Sequence, residues 1–198
     1  MNEAKGDEMA IRSFVAIELG EPLREKVARL RESSGLGLEP LRWVDAKNVH
    51  LTLKFLGDVE EDIVPGVLER LGEACGDVAP FDMTLSGLGS FPPGRPPRVV
   101  WVGVAEEGGA ENVRRLASRI DKSLEPLGFE RERAEARPHV TLARAKDGAR
   151  RVSLERASAT GVVGSARVES VALKASRLTP SGPVYSTLGE VPLGGARP

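Results

Sequence analysis

The first clear apolar run is Phe14-Val15-Ala16-Ile17, inside a strand-like stretch over 11–19 that follows a polar start. Residues 1–9 read as a flexible arm. Glu21-Pro22 then sets a proline in the first turn of a helix whose Leu23, Val27 and Leu30 share one face, and Gly35 and Gly37 end it. Strand-like stretches over 41–44 and 49–56 flank a turn at 45–48, and Gly57-Asp58 breaks the second. A helix over about 61–75 turns Ile63, Val67, Leu68 and Leu71 inward. Phe81, Met83 and Leu85 alternate with Asp82, Thr84 and Ser86, the pattern of a half-buried strand over 81–88.

A proline-rich loop, 91–97, leads to a strand over 98–105, and Val113, Leu116, Ile120, Leu124 and Leu127 mark a helix over 110–127 that Gly128 terminates. A strand over 138–143 follows, then a weakly patterned region, 147–164, read as helix plus loop. Two strands, 168–178 and 183–188, close the chain around Thr179-Pro-Ser-Gly-Pro183. Strands and helices mix without a strict βαβ rhythm, which predicts an α+β fold with antiparallel sheets. The order strand–helix–strand–strand–helix–strand recurs roughly twice, so the expectation is one bilobal domain over 10–195.

Composition narrows the function. The 198 residues are 40% hydrophobic and 29% charged, with a net charge of −1, so no global positive field exists to hold long nucleic acid. Any nucleic-acid contact is expected to be local. The single cysteine, Cys75, permits no internal disulfide, fits a reducing cytoplasm, and lies in an apolar helical pattern that predicts burial. No apolar run reaches membrane-span length and the acidic start is no signal peptide, so the expected setting is the cytoplasm.

The chemistry concentrates on the only two histidines. Asn48-Val-His-Leu-Thr-Leu53 and Arg137-Pro-His-Val-Thr-Leu142 both read His–apolar–Thr–Leu. Threonine makes up about 3% of the chain, so two chance His-x-Thr pairs have odds of roughly one in a thousand. On a strand, residues i and i+2 share a face, which puts His50 with Thr52, and His139 with Thr141 and Arg137. Val49, Leu51, Leu53 and Phe55 take the other face, toward a core, and Arg144 has the parity opposite to His139. Two imidazoles, two hydroxyls and a guanidinium suit phosphodiester displacement. A base takes a proton from the attacking oxygen, an acid protonates the departing one, and Thr52, Thr141 and Arg137 hold the charged oxygens. Histidines on separate strands, with no cysteine or carboxylate at ligand spacing, make a poor zinc site; no metal or cofactor is expected.

These residues resemble the two-histidine phosphoesterase superfamily, and within it the bacterial and archaeal RNA 2′,3′-cyclic phosphodiesterases, historically called 2′-5′ RNA ligases. The similar stretches also include Arg12-Ser-Phe-Val-Ala-Ile17, Arg42-Trp-Val44, Leu88-Gly-Ser-Phe-Pro92, Pro97-Arg-Val-Val-Trp101, Leu127-Gly-Phe129 and Gly182-Pro-Val-Tyr185, in order over about 11–190. The resemblance implies pseudo-two-fold duplicated lobes, two antiparallel sheets flanking a central cleft, and helices packed outside. It implies hydrolysis of an RNA-terminal 2′,3′-cyclic phosphate to a 2′-phosphate, with reversible 2′-5′ ligation as a possible counterpart. His50, Thr52, His139 and Thr141 carry over as motif positions and Arg137 as a phosphate ligand.

The expected assignment makes His139 the general base and His50 the general acid, and the pseudo-symmetry leaves exchange of these roles open. Trp43, Phe55 and Phe91 are candidates for stacking on a base. Arg42, Lys47, Lys54, Arg95, Arg98 and Lys146 are candidates for flanking phosphates. The expected partners are RNA ends or short oligonucleotides bearing the cyclic phosphate; no membrane and no obligate protein partner is expected, and the chain is expected to be a monomer. Two rival readings stand beside this one: a non-catalytic nucleotide-binding module, and a hydrolase of the same superfamily acting on a small cyclic phosphodiester.

Overall fold

The structure, a computed structural model, describes residues 10–36, 40–93, 97–133, 136–146, 161–180 and 182–194. The proposed arm 1–9, Arg95 and most of the weakly patterned stretch, 147–160, lie outside the described residues. The strands are β1 (Ile11–Glu18), β2 (Leu41–Trp43), β3 (His50–Val59), β4 (Phe81–Phe91), β5 (Val99–Val104), β6 (His139–Ala145), β7 (Val162–Val168), β8 (Ser170–Thr179) and β9 (Gly182–Pro192). The α-helices are α1 (Glu21–Ser33), α2 (Val64–Cys75) and α3 (Ala110–Leu124).

The α+β class and the antiparallel pairing are as expected; the sheet arrangement is more continuous. Among the described residues one nine-stranded sheet runs β7-β4-β5-β6-β3-β1-β8-β9, with β2 pairing β6. The two halves, β6-β5-β4-β7 and β3-β1-β8-β9, meet where β3 pairs β6 at Leu51 and Val140. Two sheets are therefore joined at a seam, and the seam falls on the middle residue of both His-x-Thr motifs. The duplication is visible in the connections. In each half the strand beside the motif strand leads through a helix to it: β1 through α1 and β2 to β3, and β5 through α3 to β6.

The helices knit the halves by crossing between them. α1 starts in one half and packs on β7 and β6 of the other, while α2 and α3 pack together under β9 and β3. Leu23, Val27 and Leu30 of α1, Val67 and Leu71 of α2, and Val113, Leu116, Ile120 and Leu124 of α3 are buried, as their spacing predicts. Cys75 is fully buried too, and burial pushes its thiol up to about 11, which makes it an inert packing group. Ile63 departs from expectation: it sits in a 3-10 turn before α2 and is exposed.

The strand β7 was not expected from 147–164, because its small residues bury only Gly164 and Val168. Gly164 has a reason: a Cβ there would press on Leu23 and Lys26 of α1, which lies beneath this edge strand. Gly128 ends the α3 region in the left-handed conformation, φ +89°, as its position after Leu127 predicts.

Candidate active site

The His-x-Thr strands are bulged at the same place. In β3, Thr52 opposes Ala16 and Lys54 opposes Val15, so Leu53 is the extra residue. In β6, Thr141 opposes Trp101 and Ala143 opposes Val100, so Leu142 is the extra residue. Up to the threonine each strand alternates as expected: His50, Thr52, His139 and Thr141 are half-buried on the face away from the helices, and Leu51 and Val140 are fully buried. After each bulge the parity flips. Lys54, 3% exposed, turns into the core, while Phe55 emerges at 64% exposure. Ala143 is buried in the position matching Lys54, and Arg144 is exposed in the position matching Phe55.

Two sequence expectations are corrected by that flip. Phe55 is not a core residue, and Arg144 is not aimed away from the site. After the bulge Arg144 shares the face of His139 and Thr141, and its positive charge lowers the pKa of His50, His139 and Tyr185 alike. Lys54 is likewise no phosphate candidate. Its ammonium donates to Asp121 of α3 at 2.5 Å and to the Glu130 carbonyl at 2.7 Å.

The two imidazoles are held identically. Nδ1–H of His50 donates to the Asn48 carbonyl at 2.7 Å, and Nδ1–H of His139 donates to the Arg137 carbonyl at 2.7 Å. A carbonyl can only accept, so each ring keeps its hydrogen on Nδ1 and offers Nε2 for proton transfer. Nε2 of His50 lies 3.1 Å from the Thr52 hydroxyl. Extending the register from Leu51 and Val140 sets Thr52 opposite His139 and His50 opposite Thr141. The histidines thus occupy diagonal positions, which on neighbouring antiparallel strands lie about 7–8 Å apart. Both rings therefore stand on one face of neighbouring strands.

Rings wall both histidines. Phe14 stacks on His50 with centroids 4.8 Å apart, and Tyr185 meets it edge-on at 5.3 Å. Phe91 meets His139 edge-on at 5.0 Å, and Trp101 lies at 5.9 Å. The Arg137 guanidinium sits 5.8 Å over the Trp101 ring, held by cation–π attraction beside His139. Burial is the main cause that keeps both imidazoles below the ordinary 6.5. At His50 the Asn48 carbonyl and Glu18 oppose burial, and Lys174 and Arg144 reinforce it. At His139 the Arg137 carbonyl opposes burial, and the charges of Arg144 and Arg137 reinforce it. The copies differ in one decisive neighbour: Glu18 stands opposite His50 in the ladder, and Gly103 stands opposite His139.

Of the other candidates, Phe91 joins the site, whereas Trp43 is half-buried and packs against the core. Lys47 pairs with Asp45 on the surface at 3.6 Å. Tyr185, the only tyrosine of the chain, received no role from the sequence alone. Burial raises its hydroxyl's pKa above the ordinary value, so at neutral pH the hydroxyl stays protonated. Asn48 explains how Tyr185 arrives: its side-chain amide donates to the Pro183 carbonyl at 2.9 Å, pinning β9 beside the His50 loop. Among the described residues no three His, Cys, Asp or Glu side chains gather to hold a metal ion, and no helix is long and apolar enough to cross a membrane.

The model of the 2′-5′ RNA ligase superfamily matches residues 19–178, which spans both motifs and the seam between them. The chain belongs to that superfamily. An Aeropyrum pernix protein named RNA 2′,3′-cyclic phosphodiesterase is 44% identical over 170 residues, 84% of this chain and 94% of its own length. An Archaeoglobus fulgidus protein of the same name is 38% identical over 180 residues, 90% of this chain and 98% of its own. Among solved structures, a Thermus thermophilus protein superposes with a TM-score of 0.79 at 31% identity, over 94% of this chain and all of its own. E. coli LigT complexed with 3′-AMP superposes with a TM-score of 0.75 at 27% identity, over 94% of this chain and 99% of its own. Both His-x-Thr motifs of this member lie within the matched residues.

Proposed function

We propose that this chain hydrolyses the 2′,3′-cyclic phosphate at an RNA end to a 2′-phosphate, without a metal, by acid–base catalysis between its two histidines. The carrying observation is the pair of identically held imidazoles, set diagonally across the β3–β6 seam with a threonine hydroxyl opposite each. The names of the Aeropyrum pernix and Archaeoglobus fulgidus relatives support the substrate class.

In this reading water attacks phosphorus and gives a proton to Nε2 of His139. The bond from phosphorus to the 3′ oxygen breaks, and Nε2–H of His50 protonates that oxygen. Thr52, Thr141, Arg137 and Arg144 hold the non-bridging oxygens, whose charge grows in the transition state. The difference in surroundings that bears on the division of roles is Glu18, which faces His50 although it is paired with Lys174, whereas the charged neighbours of His139 are both cations. With a 5′ hydroxyl in place of water, the same displacement joins that oxygen to phosphorus, breaks the bond to the 3′ oxygen and leaves a 2′-5′ linkage. The single buried cysteine supports action in a reducing cytoplasm, where the chain works as a monomer on free RNA ends.

The test is an RNA oligonucleotide ending in a 2′,3′-cyclic phosphate, incubated in EDTA with the wild type, His50→Ala and His139→Ala. The expected result is a 2′-phosphate from the wild type and loss of about 10²–10⁴-fold in either variant. A 3′-phosphate product reverses which oxygen departs. Binding of mononucleotides without turnover replaces the enzyme by a binding module.

A further inference from the structure

The like-charged pair Arg42 and Arg144 lies outside the two motifs. β2 pairs β6 with Arg42 directly opposite Arg144, so both guanidiniums project from the same face, and both are exposed. Leu41, the neighbour of Arg42, is buried toward the helices, which fixes Arg42 on the face that carries the histidines. Like charges directly opposite on a ladder destabilise it. No ion pair with a carboxylate among the described residues is formed by either arginine, so both charges are open to an anion. Lys146 follows two residues after Arg144, and the ladder continues there through its N–H to the Pro40 carbonyl. Three cations therefore line one edge of the cleft, with no anion among the described residues to neutralise them.

Position says which anion belongs there. Arg144 follows Thr141 by three residues on the face that carries the histidines, the nearer of the two arginines to the reacting phosphate. β5 fills the other edge of β6, where Val99 opposes Arg144, so β2 lies on the β3 side of β6 and Arg42 faces Arg144 across the line of the seam, about 5 Å from it and about 10 Å along β6 from Thr141. That places it beyond the scissile phosphorus, at the distance of the next phosphate of the same strand. A terminal nucleotide carrying a 2′,3′-cyclic phosphate has one such group, the phosphate on its own 5′ oxygen, which in RNA is the link to the preceding residue.

We propose that Arg42, aided by Arg144, is a second phosphate subsite that binds the 5′ phosphate of the terminal nucleotide and so makes the enzyme prefer an RNA end to a free nucleoside cyclic phosphate. The proposal rests on the cyclic phosphodiesterase reading given above. The guanidinium fork suits a phosphate with two free oxygens, and each such charge-assisted contact is worth about tenfold or more in affinity.

The experiment compares kcat/KM for adenosine 2′,3′-cyclic phosphate with and without a 5′ phosphate, and for a cyclic-phosphate RNA oligonucleotide, using wild type, Arg42→Gln and Arg42→Lys. The expected result is a wild-type preference of about tenfold or more for the 5′-phosphorylated nucleotide, erased in Arg42→Gln and partly kept in Arg42→Lys. The salt dependence of oligonucleotide KM should also flatten by about one charge in Arg42→Gln. Because the substitution removes a like-charge contact, its Tm should stay level or rise at low salt; a clear fall makes Arg42 a fold residue and overturns the subsite. Equal turnover of both nucleotides by the wild type, or a preference surviving Arg42→Gln, overturns it as well while leaving the phosphodiesterase reading intact. Failure of the wild type to hydrolyse any of the three substrates removes that reading itself, and the subsite with it.

Discussion

Lys54 and Asp121 form a buried ion pair that the bulge in β3 creates, and breaking it should be among the costliest single changes in the chain. The Lys54 side chain is 2% exposed and that of Asp121 10%, and Nζ lies 2.5 Å from Oδ1. Asp121 also accepts from the Glu132 N–H at 3.2 Å and from Nε of Arg131 at 3.4 Å, while the ammonium otherwise has only the Glu130 carbonyl. The two partners are therefore unequally insured. Asp121→Asn strands a buried ammonium, at a cost of about 3–5 kcal/mol. Lys54→Met leaves Asp121 with Arg131 and a backbone donor, and should cost about 1–3 kcal/mol. For a chain of this length each kcal/mol moves Tm by about 2–4 °C, so Asp121→Asn should melt about 6–20 °C lower.

Urea unfolding of both single variants and of the double variant reads the coupling directly. The double change removes the stranded charge, so it should be more stable than Asp121→Asn alone. Burial alone would raise the Asp121 carboxyl, but its bonds to Lys54 and to the Glu132 N–H, the Lys54 charge and the Arg131 bond outweigh that and hold it below 3.8. The folded value is depressed, so this stabilisation is complete well above 3.8 and is lost as pH falls through the folded value. The Asp121→Asn penalty should accordingly shrink in acid. A penalty under about 1 kcal/mol at pH 7, or strict additivity in the double variant, would refute the account of a desolvated pair.

Three further outcomes are expected. Both imidazoles are held below 6.5, chiefly by burial, so the bell-shaped kcat/KM profile of the free enzyme should peak below pH 6.5, where one ring is neutral and the other charged; a peak above about pH 7.5 contradicts the assignment. Arg144→Ala should lower kcat/KM by about 10²–10³-fold and move both limbs of that profile to higher pH, since it removes a cation acting on both rings; an unshifted profile means that Arg144 lies outside the site. Gly89→Ala would drive a Cβ into the Trp101 indole, and should cost about 1–3 kcal/mol in urea and perturb tryptophan fluorescence; an unchanged spectrum means that the ring is not packed on the Gly89 backbone.

What the sequence made legible was local and periodic. Helical faces could be read from spacing, and so could the shared face of His50 with Thr52 and of His139 with Thr141, because both depend only on the chain's own geometry. The failures all depend on a partner. A bulge is a property of two strands, so Leu53 and Leu142 look like ordinary strand residues until Val15 and Val100 are placed opposite their successors. The residues just beyond them then change face, which is why Phe55, Lys54 and Arg144 were misplaced together; in β3 a second irregularity at Leu56 restores the original parity, and Val59 is buried. A repeated His–apolar–Thr–Leu followed by Lys-Phe in one copy and Ala-Arg in the other held a usable hint. An exposed lysine and a buried phenylalanine fit strict alternation in the first copy, but the second copy would have buried an arginine with no partner in sight. The edge strand β7 was hidden for a different reason: the helix beneath it requires Gly164, which erases the apolar alternation that would have revealed it.

The duplication also explains why the active site can have a direction at all. A perfectly two-fold seam would present identical halves, and a cyclic phosphate could enter either way round. The copies keep everything that serves proton transfer: the carbonyl on Nδ1, the hydroxyl two residues on, and the bulge after it. They differ just outside that set, with Glu18 opposite one histidine and Gly103 opposite the other, and with Phe55 at one end of the cleft where Arg144 stands at the other. The first difference makes the charge around the two histidines unequal, which the proposed division into acid and base uses. The second gives the cleft an aromatic end and a cationic end, so a nucleotide, which carries its base and its 5′ phosphate on different sides of the ribose, fits in one orientation. Exchanging the two end residues, Phe55→Arg with Arg144→Phe, should therefore cost far more activity than a conservative Arg144→Lys, although it preserves composition, both histidines and both threonines. If the exchanged protein kept wild-type kcat/KM, the asymmetry would be incidental to orientation and the two histidines would have to be interchangeable.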